Sequence, residues 1–226
     1  MIIHPEFIFA HIPKTGGMFV KKCLSKLKDV KITKDRHKPI DDINEKSDKY
    51  KFTIIRDPLS WYISFWSDYK RSAHSAVMSF MTDEMRNDFK TFMWNIHSRD
   101  DRTCYDDLEN FSNVSRLNIG MCTYNFLVLT CPRKLWCEEK NISFSDVYDS
   151  ILVDKIIQFS SFKKDIVEMF KNSIFPLPDP VEYAILNNKP FNITIHEPPI
   201  EYYDLELIDF VKRKDRILFK LFEDKI

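Results

Sequence analysis

Glu6–Ile12 (EFIFAHI) is a short, nearly continuous apolar run that stops at Pro13, a pattern that predicts a buried strand. The period then changes. From Met18 onward, Val20, Cys23, Leu24 and Leu27 fall on one helical face, with Lys21, Lys22, Ser25 and Lys26 opposite. Val30–Thr33 reads as a second strand and Pro39–Lys46 as a short helix. Tyr50–Ile55 (YKFTII) reads as a third strand, followed by a helix from Leu59 to about Lys70. This β-α-β-α-β-α order predicts a parallel sheet with right-handed crossovers.

Further along, Ala76–His97 predicts a helix or a pair of helices, and Arg99–Glu109 a polar, acidic loop. Ile119–Thr130 is an apolar segment that receives no assignment. Val153–Phe159 is the fourth strand, with a helix from about Ser161 to Lys171. Pro176, Pro178 and Pro180 mark an extended connection, and Pro198-Pro199 precedes a last helix, roughly Tyr203–Phe222. There are no internal repeats. A length of 226 residues predicts one domain, with residues 71–150 as a mainly helical insertion.

Composition narrows the class. A 44% hydrophobic content supports a full core, and three glycines exclude a collagen-like chain. The 34 basic and 34 acidic side chains balance, which argues against coating nucleic acid or membrane by bulk charge. The charge is nonetheless uneven: residues 10–40 hold nine basic and two acidic side chains. Such clustering fits either a phosphate ligand or a solvated helix face. Five cysteines without metal-ligand spacing encode neither a zinc site nor a disulfide scaffold. Cys131 and Cys137 are a conceivable pair in an oxidising compartment, but buried thiols fit better. Without a signal peptide, and with no apolar run near the ~20 residues of a membrane span, the expectation is a cytoplasmic protein.

The strongest chemical feature is the strand–turn–helix at Phe7–Leu27, with His11-Ile12-Pro13-Lys14-Thr15-Gly16-Gly17 at the turn. Ligands of open α/β sheets bind beyond the carboxyl ends of the strands. A helix N-terminus there presents unpaired N–H groups and the positive end of a dipole. Glycines let an oxyanion approach the backbone; Lys14 adds a cation and Thr15 a hydroxyl. Two of the three glycines are here. The order differs from a Walker A loop, in which the lysine follows the glycines.

The run Pro13-Lys14-Thr15-Gly16-Gly17 resembles the 5′-phosphosulfate loop of sulfotransferases that use 3′-phosphoadenosine 5′-phosphosulfate (PAPS). Phe52–Leu59 (FTIIRDPL) followed by Ser64 is similar to their 3′-phosphate motif, an Arg at a strand end and a Ser eight residues later. The pattern looks most like the carbohydrate sulfotransferase branch. Val153–Phe170 and Tyr202–Phe222 resemble later segments of the family more weakly, with Ser160 where an acidic residue is often found.

The resemblance implies a three-layer α/β fold, a central parallel sheet flanked by helices as in P-loop NTPases. It implies transfer of a sulfuryl group from PAPS to a hydroxyl or amine acceptor, leaving adenosine 3′,5′-bisphosphate. Lys14, Thr15, Gly16, Gly17, Met18, Phe19, Arg56 and Ser64 would bind the donor. Lys14 would also be catalytic, with His37 as general base. No metal is called for, and residues 71–150 would face a carbohydrate or small-molecule acceptor. Met18 stands where the family often has Thr or Ser, so one side-chain donor is lost. That keeps a non-catalytic nucleotide-binding homologue open, beside a P-loop-like small-molecule or nucleoside kinase. Asp57 is expected to orient Arg56 or a backbone turn. Trp61, Tyr62, Phe65, Trp66 and Tyr69 fit either core or a sugar-stacking platform. Among the other histidines, His11 has a structural reading, His74 and His97 carry no motif, and His196 fits the acceptor side.

Overall fold

The computed structural model describes residues 1–34, 37–43, 48–71, 81–98, 111–138, 142–189 and 197–223. His74, His196, Cys104 and the loop expected at 99–109 lie outside them. The chain begins β1 (Ile2–Ile3), β2 (Phe7–Ala10), α1 (Gly17–Leu24), β3 (Lys31–Ile32), a 3-10 turn at Ile40–Asp42, β4 (Tyr50–Ile55) and α2 (Pro58–Arg71). A helical region follows: α3 (Asp83–Asn87), α4 (Phe89–Ser98), α5 (Phe111–Leu117), α6 (Met121–Thr130), α7 (Arg133–Glu138) and α8 (Phe144–Tyr148). Then come β5 (Lys155–Gln158), α9 (Phe162–Met169) running into a π-helical turn at Phe170–Ile174, α10 (Asp179–Asn187), α11 (Leu205–Lys214) and α12 (Arg216–Glu223).

The five strands are ordered β3-β1-β2-β4-β5. β2, β4 and β5 are parallel, with Phe9 opposite Phe52 and Thr53 opposite Ile156. The expected all-parallel sheet needs correction at its other edge. The unassigned pair Ile2–Ile3 inserts between β2 and β3 and is antiparallel to both. β3 therefore runs in the direction of β2 without touching it. Two residues before His4-Pro5 are too few to show a period-two pattern, so this strand exists through its pairing alone.

Alternation along the strands builds the layers. Phe7, Phe9, Phe52, Ile54 and Ile157 turn to one face and pack with Val20, Cys23 and Leu24 of α1, Ile166 of α9 and Ile185 of α10. Ile55 and Ile156 turn to the other and join α2 and the helical region. Both faces are thus covered by helices.

Three further elements differ from the sequence reading. All ten residues of α6 are buried, so a helix wrapped on every side shows no polar face from which a period could be read. Pro180 lies in the first turn of α10 rather than in an extended connection; a proline there forfeits no intrahelical hydrogen bond. The last helix is two helices, α11 and α12, parted at Asp215. Its fully buried carboxylate accepts from Thr123 N (2.7 Å) and Thr123 Oγ1 (2.8 Å) at the start of α6. Gly120 is required just before, because a Cβ there would collide with that carboxylate.

Candidate functional site

Between β2 and α1 the chain turns over the carboxyl end of the parallel strands, and three side-chain bonds fasten this turn. Thr15 Oγ1 donates to Ile12 O (2.8 Å), Trp61 Nε1 to Pro13 O (2.9 Å) and Arg56 Nη1 to Lys14 O (3.4 Å). Lys14 has φ 63° and Gly16 φ 83°, both left-handed. For a lysine that conformation costs roughly 1 kcal/mol, and such residues persist only where their surroundings over-determine them. The first-turn N–H groups of α1 project from the helix N-terminus.

The glycines have packing reasons as well as a chemical one. A Cβ on Gly17 would collide with the imidazole of His11, and one on Gly16 would lie 2.9 Å from Phe159 Cε2. His11 is buried with 6% exposure, so Gly17 seats a histidine ring against the loop.

Arg56 directly follows β4, at the strand-to-helix junction. Its Nε donates to Ser60 Oγ (3.0 Å), and its Cζ lies 4.9 Å from the centroid of the Phe159 ring. Burial lowers its pKa, opposed by the neighbouring Asp57 carboxylate. Asp57 itself orients the turn: Oδ2 accepts from Ser60 N (2.8 Å) just ahead of α2. Phe159 therefore bridges both motifs, touching Arg56 on one side and limiting Gly16 on the other.

Ser60, Ser64 and Asp68 follow one another at four-residue spacing, so they form one row along α2. Ser60 holds Arg56, and Asp68 Oδ1 pairs with Lys14 Nζ at 3.1 Å. Ser64, 5% exposed, lies between them. The two cations from separate motifs thus meet opposite ends of one polar row. Ser60, Asp68 and Phe159 were missed in the sequence; the four-residue spacing from Ser64 was the available signal for the first two.

His37 joins the same loop: its Nδ1 is 2.8 Å from His11 O and its ring centroid 4.7 Å from that of His11. Thr15 is fully buried, its hydroxyl engaged by Ile12 O. Met18 is 38% exposed on the first turn of α1. Phe19, expected among the donor-binding residues, packs into the core. It is 2% exposed, perpendicular to Phe162 (5.6 Å) and beneath Lys163 Nζ (5.1 Å). Trp61, Tyr62, Phe65, Trp66 and Tyr69 are all buried, which makes them core rather than a sugar platform.

His97 is buried on α4, its pKa lowered to about 4 chiefly by desolvation. Cys23, Cys122, Cys131 and Cys137 are unbridged. Among the described residues no cluster of three His, Cys, Asp or Glu side chains could hold a metal, and no helix is long and apolar enough to cross a membrane.

A family model described as the sulfotransferase family matches residues 3–165, from β1 into α9. No curated protein and no solved structure matches the chain.

Proposed function

The chain belongs to the sulfotransferase family, and on that premise we propose that it transfers a sulfuryl group from PAPS to a hydroxyl or amine of a carbohydrate acceptor. The observation that carries this reading is the coupling of the two motifs. Arg56 donates to the carbonyl of Lys14, and the Ser60–Ser64–Asp68 row spans the same two residues. A nucleotide with anionic phosphates at both ends of its ribose would meet one cation at each end.

The donor set fits that ligand. When bound, PAPS supplies the sulfuryl group; the protein's residues orient it and handle charge and protons. Lys14 and the α1 N-terminus would hold the 5′ end, with Thr15, Gly16, Gly17 and Met18 contributing backbone N–H groups. Arg56, steadied by Ser60 and Phe159, would fork onto the 3′-phosphate, and Ser64 would donate from the adjoining turn. Lys14 would neutralise the charge left on the 5′-phosphate oxygen when its bond to sulfur breaks, a role worth ~10²–10³ in rate for one such donor.

His37 is the proposed base. A carbonyl only accepts, so His37 Nδ1, facing His11 O at 2.8 Å, carries the hydrogen. The neutral ring then takes its proton at Nε2. Helices α3–α8 would supply the acceptor side.

A thermal-shift comparison tests the reading. Stabilisation by adenosine 3′,5′-bisphosphate without Mg²⁺ supports it, while Mg²⁺-dependent stabilisation by ATP would favour a kinase. Mass-spectrometric screening of acceptor mixtures incubated with PAPS then identifies the acceptor. Nucleotide binding without turnover on any acceptor would point to a non-catalytic homologue.

A further inference from the structure

Lys14 is the loop's principal cation, yet its ammonium is already paired. Nζ lies 3.1 Å from Asp68 Oδ1, with side-chain exposures of 21% and 52%. The pairing is a product of the fold. Lys14 takes a left-handed backbone (φ 63°), its carbonyl is tied to Arg56, and Pro13 beside it is tied to Trp61 of α2. With the backbone held at these points, only the side chain is left to move. Asp68 closes the α2 row whose other end, Ser60, holds Arg56.

We propose that Asp68 is a positioning residue that holds Lys14 in the resting protein and releases it to the 5′-phosphate end of the nucleotide. This rests on the donor reading above. The exchange is favourable because a phosphate or phosphosulfate brings more charge than one half-exposed carboxylate, and partly exposed pairs are individually weak. Asp68 then has two effects on binding. Its pairing must be broken, and its negative charge faces the incoming anion. Both oppose binding at the 5′ end, and neither acts at the 3′-phosphate held by Arg56. In the resting state the same pair keeps the Lys14 ammonium at the side of α2. The site is therefore poised rather than open: an anion too weak to displace Asp68 does not capture Lys14.

The test uses two nucleotides that differ only at the 5′ end, adenosine 3′,5′-bisphosphate and adenosine 3′-monophosphate, with affinities measured by calorimetry. Asp68→Asn removes the charge and keeps the shape. It should tighten the bisphosphate about threefold to fivefold, the range of one partly exposed ion pair, and leave the 3′-monophosphate unchanged. The gain should shrink as salt is raised, since both terms are screened. Asp68→Glu keeps the carboxylate and should bind both nucleotides like the wild type. Equal affinities in wild type and Asp68→Asn, or a change of the same size for both nucleotides, would overturn the proposal while leaving the donor reading intact. Failure of the wild type to bind either nucleotide would remove the donor reading, and this inference with it.

Discussion

Tyr62 Oη lies 2.7 Å from Asp215 Oδ2 and bridges it to His97 Nε2, 3.0 Å away on the other side. His97 Nδ1 faces the carbonyl of Met93 at 2.8 Å and therefore carries a hydrogen. Tyr62 has one proton for two neighbours. Every contact in the chain is satisfied only when one further proton is present, on the Asp215 carboxyl or on the imidazole. All three groups are buried, so a missing proton leaves two lone pairs facing each other where water does not reach.

The proton belongs on Asp215. Burial raises its pKa from 3.8 to about 6, against the hydrogen bonds from Tyr62 and Thr123 and the nearby Lys214 ammonium. His97 is held down near 4, and the Cys122 thiol beside them is pushed well up by burial. The folded protein thus binds this proton more tightly than the unfolded chain. The associated stability is complete below 3.8 and is lost as pH rises through 6, about 3 kcal/mol in all. Asp215→Asn mimics the protonated carboxyl, because its amide donates to Tyr62 while its oxygen accepts from Thr123. Denaturation midpoints should be higher for Asp215→Asn than for the wild type at pH 7.5 and should converge near pH 4. A wild-type lead at pH 7.5 would sink this assignment.

Gly17 should tolerate alanine less well than Gly16. A Cβ at 17 collides with the buried His11 ring, whereas one at 16 meets the edge of Phe159 and an unfavourable φ. Overpacking of this kind costs about 1–3 kcal/mol, and the left-handed term about 1–2. Removing the ring should rescue the first variant: in a His11→Ala background, Gly17→Ala should lose most of its cost. Additive losses in calorimetric melting would show that His11 is not the obstacle.

Lys14→Ala and Arg56→Ala should separate chemistry from binding. Loss of Lys14 should reduce turnover with PAPS by ~10²–10³. Loss of Arg56 should mainly weaken adenosine 3′,5′-bisphosphate, by about tenfold to a hundredfold for a charged hydrogen-bonding group. Ser60→Ala should weaken it less, because Ser60 acts through Arg56 at 3.0 Å. Unchanged turnover in Lys14→Ala, or unchanged affinity in Arg56→Ala, would remove the role assigned to that residue.

His37→Ala should lower kcat by ~10²–10⁴, the usual worth of a general base, while nucleotide affinity is kept. The acidic limb of the pH–rate profile should disappear with it. A mutant retaining the wild-type limb would move the base elsewhere.

The parallel strands, the loop and the strand-end arginine were legible because each rests on local chemistry. Phe7–Ala10 and Tyr50–Ile55 are apolar runs ended by Pro13 and by Arg56-Asp57-Pro58, and α1 shows its period from Val20 to Leu24. The helix α6 was not legible, since burial on all sides erases amphipathic pattern. Ile2–Ile3 and the break at Asp215 were hidden for another reason: one depends on a partner strand and the other on Tyr62 and Thr123, far away in the chain.

The same division runs through the site. By itself, the sequence determined that a lysine–glycine turn and an arginine–serine motif occur in order at two strand-to-helix junctions, because neighbouring residues set turns, caps and helix faces. Tertiary structure alone decided that Asp68 meets Lys14, that Ser60 and Phe159 steady Arg56, that Gly17 seats His11, and that Phe19 turns into the core. Lys14–Asp68 and Arg56–Phe159 join segments far apart in the chain, while Arg56–Ser60 and Gly17–His11 join near neighbours whose side-chain directions are set by the packing around them.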